Sequence, residues 1–248
     1  MTKLVGAMVI YNEETFVGEA IKNLLKISDV SAIEILDGAW VSGGRTVSST
    51  DNSRNIIENL KKETHVPINF TDNHHFWESE PYKRNWRLQQ IDQKYGPDTW
   101  VFWFDGDEEI RFHTGIHAMD MLPTLSGMKN CGIVTTYGYG FSIPYPGPRF
   151  IPLGRGIHFY SEMANHLHDG NCDTIMNWAT GKQKKPCWFM DKFFIVNHWM
   201  YRNGTRLEDK IEYFKWQAEQ AEKTKNYPKC HWAENFKSSL ISKPTRNH

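Results

Sequence analysis

The chain has 248 residues, and 29 Lys plus Arg balance 29 Asp plus Glu, so its formal net charge is zero. That length carries one large α/β domain or two small ones, and the charge balance disfavours a nucleic-acid partner, which demands a basic excess to neutralise phosphates. Four cysteines (Cys131, Cys172, Cys187, Cys230) stand far apart with no C-x-x-C pair, so no disulfide framework is implied.

The chain starts MTKLVGAMVIYNEE. Its apolar run ends at Tyr11, too short for a signal core or a membrane span. The expectation is a cytoplasmic protein without a transmembrane segment, with peripheral membrane contact left open. Leu4 to Tyr11 reads as a buried strand. Asn12 is placed to cap a following helix, with Glu13 and Glu14 in its first turn. Phe16, Val17, Ala20, Ile21, Leu24 and Leu25 share one face of that helix. Ile33 to Leu36 is a second strand, ending at Asp37-Gly38.

Ser49-Thr50-Asp51-Asn52-Ser53 is a helix-start signal, and Ile56, Ile57 and Leu60 mark the buried face after it. Pro67 to Thr71 reads as a third strand and Pro81 to Tyr95 as a helix. Trp100 to Phe104 is a fourth strand that stops at Asp105-Gly106-Asp107-Glu108. Alternating strands and helices specify an α/β fold with a mostly parallel central sheet flanked by helices. Ligands of such sheets collect beyond the carboxyl ends of the strands, and Asn12, Asp37, Asp72, Asp105 and Asp107 all fall there.

The second half is irregular. Residues 138–156 are rich in Gly and Pro and read as a long loop or a pair of hairpins. Phe193 to Val196 is a late strand running into Asn197-His198. Thr205 to Lys225 is an amphipathic helix, and the tail after Tyr227 reads as loosely ordered. The chain is 14% aromatic with ten Trp. Packing explains most of these, and a cleft lined by Trp and Tyr faces explains the rest.

Asp105-Gly106-Asp107 carries the clearest chemistry. A diphosphate needs a hard divalent cation to bind and to leave, and carboxylates are that cation's protein ligands. Two acids separated by glycine can divide the work, one toward a ribose and one toward the metal, and glycine lets the backbone come close. The same triplet alone also occurs in solvated turns. His158, His166, His168 and Cys172 lie close in sequence, but only one short-spaced doublet is present, unlike the paired doublets of structural zinc sites.

The order YNEE, a strand-end Asp, an S-T-D-N-S helix start, a K-R-N helix and D-G-D-E resembles the family 2 glycosyltransferases of GT-A fold. The likeness covers residues 1–110. It implies a single glycosyltransferase domain over 1–248, with a nucleotide-sugar-binding half (1–110), an irregular acceptor-side half (111–226) and a C-terminal tail (227–248). It implies that Tyr11, Asn12, Glu14, Asp37, Arg84, Asp105 and Gly106 bind the donor. Asp107, joined by His198, would hold Mn2+ or Mg2+. Leu167-His168-Asp169 resembles the step that carries the base in part of the family, so Asp169 is the first candidate base, followed by Glu162 and Asp191. The donor would be a UDP- or GDP-sugar and the acceptor a glycan, lipid or protein.

One departure is visible. The family runs its acidic strand end and S-x-D element together, whereas here Ala39 to Ser48 intervene. Two other readings remain: a nucleotidyltransferase acting on a sugar phosphate, and a non-catalytic nucleotide or carbohydrate binder. The first usually opens with a Gly-rich phosphate loop, which Ala7 to Glu14 lacks.

Overall fold

The structure is a computed structural model that describes residues 2–39, 46–72, 74–77, 80–113, 116–128, 131–138, 145–155, 157–159, 175–177 and 188–198. Glu162, Asp169, His166, His168, Cys172, Trp178, Trp199, the helix expected over Thr205 to Lys225 and the tail lie outside these residues. For Asp191 the backbone alone is described.

The strands are β1 (Lys3–Val9), β2 (Val30–Leu36), β3 (Ile68–Thr71), β4 (Thr99–Trp103), β5 (Glu108–Phe112), β6 (Gly132–Gly138), β7 (Tyr145–Pro152), β8 (Ile157–Phe159), β9 (Ile175–Asn177) and β10 (Trp188–Asn197). The helices are α1 (Val17–Leu24), α2 (Ser53–Glu63), α3 (Glu80–Tyr95) and the short α4 (Leu122–Leu125). Eight strands form one sheet in the order β3-β2-β1-β4-β7-β6-β10-β5, and β8 pairs with β9 separately. Four of the seven neighbouring pairs are parallel: β3-β2, β2-β1, β1-β4 and β6-β10. The first four strands are those expected from the sequence.

Strand alternation builds two cores. On one face Leu4 and Met8 of β1 and Trp100 and Phe102 of β4 pack against Val17, Ala20, Ile21 and Leu24 of α1 and Ile57 and Leu60 of α2. On the other, Val5, Ala7 and Val9 join Val101 and Trp103 beneath Leu88 and Ile91 of α3. Phe102 is fully buried and stacks on Phe150 of β7, centroids 4.5 Å apart. Burying such a ring contributes about 1.5–3 kcal/mol. The same alternation continues past β4: Phe104 points to the α1 side with Trp100 and Phe102, and Asp105 follows Val101 and Trp103 to the α3 side.

A buried acid fastens α3. Glu34 of β2 is 3% exposed and accepts hydrogen bonds from Asn69, Lys94 and Tyr95, with Arg87 forming a further ion pair at 3.2 Å.

Two sequence expectations need correction. Asn12 does not cap a helix. It sits at φ 51°, in the left-handed region that Asn tolerates, and α1 begins at Val17 after Phe16, which makes no side-chain cap. Glu13 and Glu14 therefore precede the helix rather than filling its first turn. Of the two readings of the Gly/Pro-rich segment, the long loop is set aside in favour of the hairpin, because Tyr145–Pro152 is an inner strand between β4 and β6, antiparallel to both. Its ladder with β4 covers only Phe150 to Pro152, while the ladder with β6 runs from Tyr145 to Phe150. Pro146 and Pro148 thus fall where β7 has one neighbour, and a missing N–H is tolerated there.

The turn after β7 yields a test. Gly154 has φ +69°, and a Cβ there would lie 2.4 Å from Cβ of Pro97 in the loop between α3 and β4. Gly154→Ala is expected to cost about 1–3 kcal/mol in urea denaturation, while Gly127→Ala, whose Cβ meets only Thr124 O at 3.8 Å, should be near neutral. Equal stability of the two variants would contradict the packing described.

Candidate active site

The carboxyl ends of β1, β2 and β4 converge on one rim. β1 has β2 on one side and β4 on the other, both parallel to it, so the strand order reverses at β1: β2 and β3 are laid down on one side, and the chain then crosses to place β4 on the other. This is the crevice in which open α/β sheets bind ligands.

Two loops at this rim are laced together. Asn12 N donates to Ser49 Oγ (2.7 Å) and Thr50 N to Asn12 Oδ1 (2.8 Å). Glu13 N donates to Ser53 Oγ (2.8 Å), Glu14 N to Asp51 Oδ2 (2.8 Å), and Asn52 N to Glu14 Oε2 (2.9 Å). The last of these satisfies a backbone N–H at the start of α2 that the helix cannot satisfy itself. Asp37, 2% exposed, joins the network: its Oδ1 accepts from Ser49 Oγ at 2.6 Å and its Oδ2 from Ser49 N at 2.8 Å.

These bonds close the chain across the departure noted in the sequence. Ala39 N donates to Val47 O, and Thr46 N donates to the hydroxyl of Tyr11, itself 3% exposed. The acidic strand end and the S-T-D-N-S element are therefore adjacent in space despite the ten residues between them in sequence.

The K-R-N triplet of α3 reaches three places. Lys83, fully buried, donates from Nζ to the carbonyls of Ile10 and Gly38 at the ends of β1 and β2. Arg84, on another face of the helix, puts Nη2 3.1 Å from both carboxylate oxygens of Asp105 and lies over the rings of Trp103 and Phe159 at 5.2 Å. Asn85 pairs with the backbone of Phe159 through both its amide oxygen and nitrogen. Arg84 and Asp105, expected at the site, are thus brought together. The roles of Lys83 and Asn85 in fastening the rim were not legible, since a K-R-N string does not say which way each side chain points.

Gly106 lies against the first loop. A Cβ there would be 3.0 Å from Ile10 Cγ2 and 3.1 Å from Glu13 Cγ, so the turn and the YNEE loop are in close contact. Asp107 is 2% exposed, and its carbonyl accepts from His198 N at 2.8 Å. His198 follows β10, whose Asn197 lies opposite Glu108 of β5. The late histidine expected at the site is therefore beside Asp107. Its Nε2 lies 3.0 Å from Oε2 of Glu109.

Sequence reading passed over Arg149. This residue, 6% exposed on β7, forms a two-pronged ion pair with Glu108, at 3.0 and 2.7 Å. Glu108 Oε2 also accepts from Asp105 N at 2.8 Å, which holds the turn. Burial pushes the Glu108 carboxyl up, the Arg149 guanidinium opposes this, and Asp105 and Asp107 add to the rise, to about 7. Burial works in the same direction on Glu109, but hydrogen bonds from Arg111 and His198 outweigh it and hold that carboxyl below its usual range. An arginine inside a Gly/Pro-rich stretch gave no pattern from which its partner could be read.

The Glu108–Arg149 pair makes stability depend on pH. An acid whose folded-state pKa is raised loses stability as pH rises from its unfolded value toward its folded one. Removing the opposing cation raises the folded value further and leaves a buried carboxylate uncompensated above it. Arg149→Met is expected to destabilise by about 3–5 kcal/mol at pH 8, with a clearly smaller loss at pH 5, where Glu108 keeps its proton. Denaturant titration at both pH values measures this. A loss independent of pH would remove Glu108 as its cause.

No protein-family pattern matches this chain, and no curated protein sequence matches it. Solved structures do. S. aureus TarS 1–349, in complex with UDP-GlcNAc, aligns with a TM-score of 0.53 at 14% identity over 83% of this chain and 60% of that one. The mannosyltransferase PcManGT of Pyrobaculum calidifontis, in complex with GDP-Man and Mn2+, aligns at 0.39 and 16% identity over 56% and 36% of the two chains. Glucosyl-3-phosphoglycerate synthase of Mycobacterium tuberculosis, in complex with Mn2+ and UDP, aligns at 0.34 and 13% identity over 56% and 44%. The chain spans less than two thirds of each of these proteins. The likeness to TarS, together with the strand order and the flanking helices, gives the chain the GT-A fold.

Proposed function

We propose that the chain transfers a sugar from a nucleotide-diphosphate donor to an acceptor hydroxyl, with inversion and with the help of Mn2+ or Mg2+. The observation that carries this reading is the Asp105-Gly106-Asp107 turn at the end of β4, in the crevice beside β1, with Arg84 on the first acid and the end of β10 on the second. The UDP-GlcNAc bound by TarS supports a nucleotide-sugar donor.

The donor set suits the ion. Asp107 offers hard oxygen and His198 a neutral nitrogen, a combination that manganese accepts. Among the described residues no group of three or more His, Cys, Asp or Glu is arranged to hold a metal. The proposed ion would be held by these one or two protein groups and completed by substrate phosphates, the usual arrangement for Mg2+ beside nucleotides. When bound, the ion would neutralise the departing diphosphate.

The chain's own residues do the rest. Asp105, oriented by Arg84 and by the Trp103 indole N–H (3.3 Å), is offered to the ribose. Tyr11, Asn12 and Glu14 line the nucleoside side of the crevice. Asp37 keeps a second lone pair on each oxygen after its bonds from Ser49, enough to accept a base N–H. Gly106 would meet the donor through its backbone, since the space a side chain would take is filled by Ile10 and Glu13. The acceptor hydroxyl must lose its proton as it attacks, and a carboxylate within hydrogen-bond reach performs that step. Asp169 is the first candidate, then Glu162 and Asp191. Residues 111–226 would bind the acceptor, a glycan, lipid or protein, in the cytoplasm.

Calorimetric titration of UDP and GDP with and without Mn2+, followed by a donor-hydrolysis assay, tests the reading. Asp107→Ala and Asp107→Asn are expected to fold and to lower turnover by about a hundredfold or more. Nucleotide affinity indifferent to chelation of divalent ions would sink the proposal.

A further inference from the structure

The second half of the chain reaches the rim through β8. Phe159, its last residue, lies opposite Ile175 of β9 but turns its own N–H and C=O to the side chain of Asn85 in α3. Phe159 N donates to Asn85 Oδ1 at 2.6 Å, and Asn85 Nδ2 donates to Phe159 O. A carboxamide carries one acceptor and one pair of donors side by side, so the Asn85 side chain stands where a further strand would. β8 is thereby fastened to a helix residue 74 positions earlier in the chain.

This clamp sets the Phe159 ring against the cation that meets Asp105. The Arg84 guanidinium carbon lies 5.2 Å from the ring centroids of both Phe159 and Trp103. Those two rings are 4.9 Å apart with their planes at 67°, so they form two walls of a corner around the guanidinium. Phe159 and Arg84 are both buried, and the attraction between a cation and ring faces is stronger where water is excluded.

Arg84 meets Asp105 through one nitrogen, Nη2, 3.1 Å from both carboxylate oxygens. A contact through one nitrogen leaves the guanidinium plane freer to tilt than a two-pronged pair such as that of Arg149 with Glu108. The ring walls limit that tilt. Trp103 touches both partners, because its indole N–H also reaches Asp105 Oδ1 at 3.3 Å. Of Arg84, Trp103, Asp105 and Phe159, only Phe159 comes from beyond residue 110, and Asn85 is what holds it there.

We infer that Phe159 is a positioning residue for the nucleotide donor: clamped by Asn85, its ring fixes Arg84 and through it the carboxylate of Asp105. Nucleotide binding at the first four strands therefore depends on β8, from the half of the chain assigned to the acceptor. The inference rests on the reading of Asp105 as a donor ligand given above and names the residues that orient it.

The test is calorimetric titration with UDP or GDP, whichever the wild type binds, in the presence of Mn2+. The proteins are the wild type, Phe159→Leu, Asn85→Ala, Arg84→Ala, Asp105→Asn and the double variant Arg84→Ala/Phe159→Leu. Urea denaturation of each, run in parallel, reads what packing alone costs. Phe159→Leu and Asn85→Ala are each expected to weaken nucleotide binding by the folded protein about three- to tenfold. In the Arg84→Ala background Phe159→Leu should add no further loss, because the group it acts through is gone.

Wild-type affinity in Phe159→Leu or Asn85→Ala, beside a lowered urea midpoint, would make that residue a packing residue and overturn the inference. A Phe159→Leu loss that persists in full without Arg84 would show that the ring acts by another route, with the same consequence. If Arg84→Ala binds nucleotide like the wild type while Asp105→Asn does not, this inference fails and the donor-site reading stands. If the wild type binds neither UDP nor GDP, the donor-site reading fails as well.

Discussion

Three carboxylates within four residues at the end of a buried strand repel one another, and the surroundings of β4 hold that repulsion in check. Asp105 is met by Arg84 from α3, and Glu108 by Arg149 from β7. Asp107, between them, is tied by its carbonyl to the end of β10. The two arginines come from different elements, α3 and β7, so the two acids flanking the turn meet separate cations. Buried ion pairs of this kind add little net stability, but removing one partner is costly because the other stays buried and charged. The turn is consequently held in one geometry.

The rest of the rim is built to support that turn. Gly106 brings it against Ile10 and Glu13, and Glu13 is in turn bonded to Ser53 at the start of α2. A displacement of the turn would therefore be felt in the loop after β1 and in the helix that follows β2. Lys83 adds a cation under the same loops by bridging the carbonyls of Ile10 and Gly38. Backbone groups that secondary structure leaves unpaired at the ends of β1 and β2 thus find partners in side chains. The rim is a set of short loops whose backbone positions are determined by polar side chains from other loops.

The parallel half of the sheet was legible because each of its strands is an apolar run that stops at polar residues, and because helix-period patterns separate them. The boundaries of β3, β4 and α2 follow that reading closely, while β2 starts three residues earlier than expected, at Val30. β7 was not legible: Pro146, Gly147 and Pro148 carry turn chemistry, and only the absence of β4 beside that half of the strand makes them tolerable. The left-handed Asn12 was also misread, since the residue types that cap helices are those that accept positive φ. Its conformation is set by Ser49 and Thr50, which lie far along the chain.

What the amino-acid sequence determined by itself was local: the order of the first four strands and the helices between them, the buried faces of those helices, and the position of the acids at the carboxyl ends of β2 and β4. Periodicity and burial suffice for these, because each depends on residues within one or two turns of one another. What the tertiary structure alone decided was pairing: Arg84 with Asp105, Arg149 with Glu108, Ser49 with Asp37, and Glu109 with His198. Such partners are separated by 12 to 89 residues, and no local pattern specifies which charge will meet which once the sheet has closed.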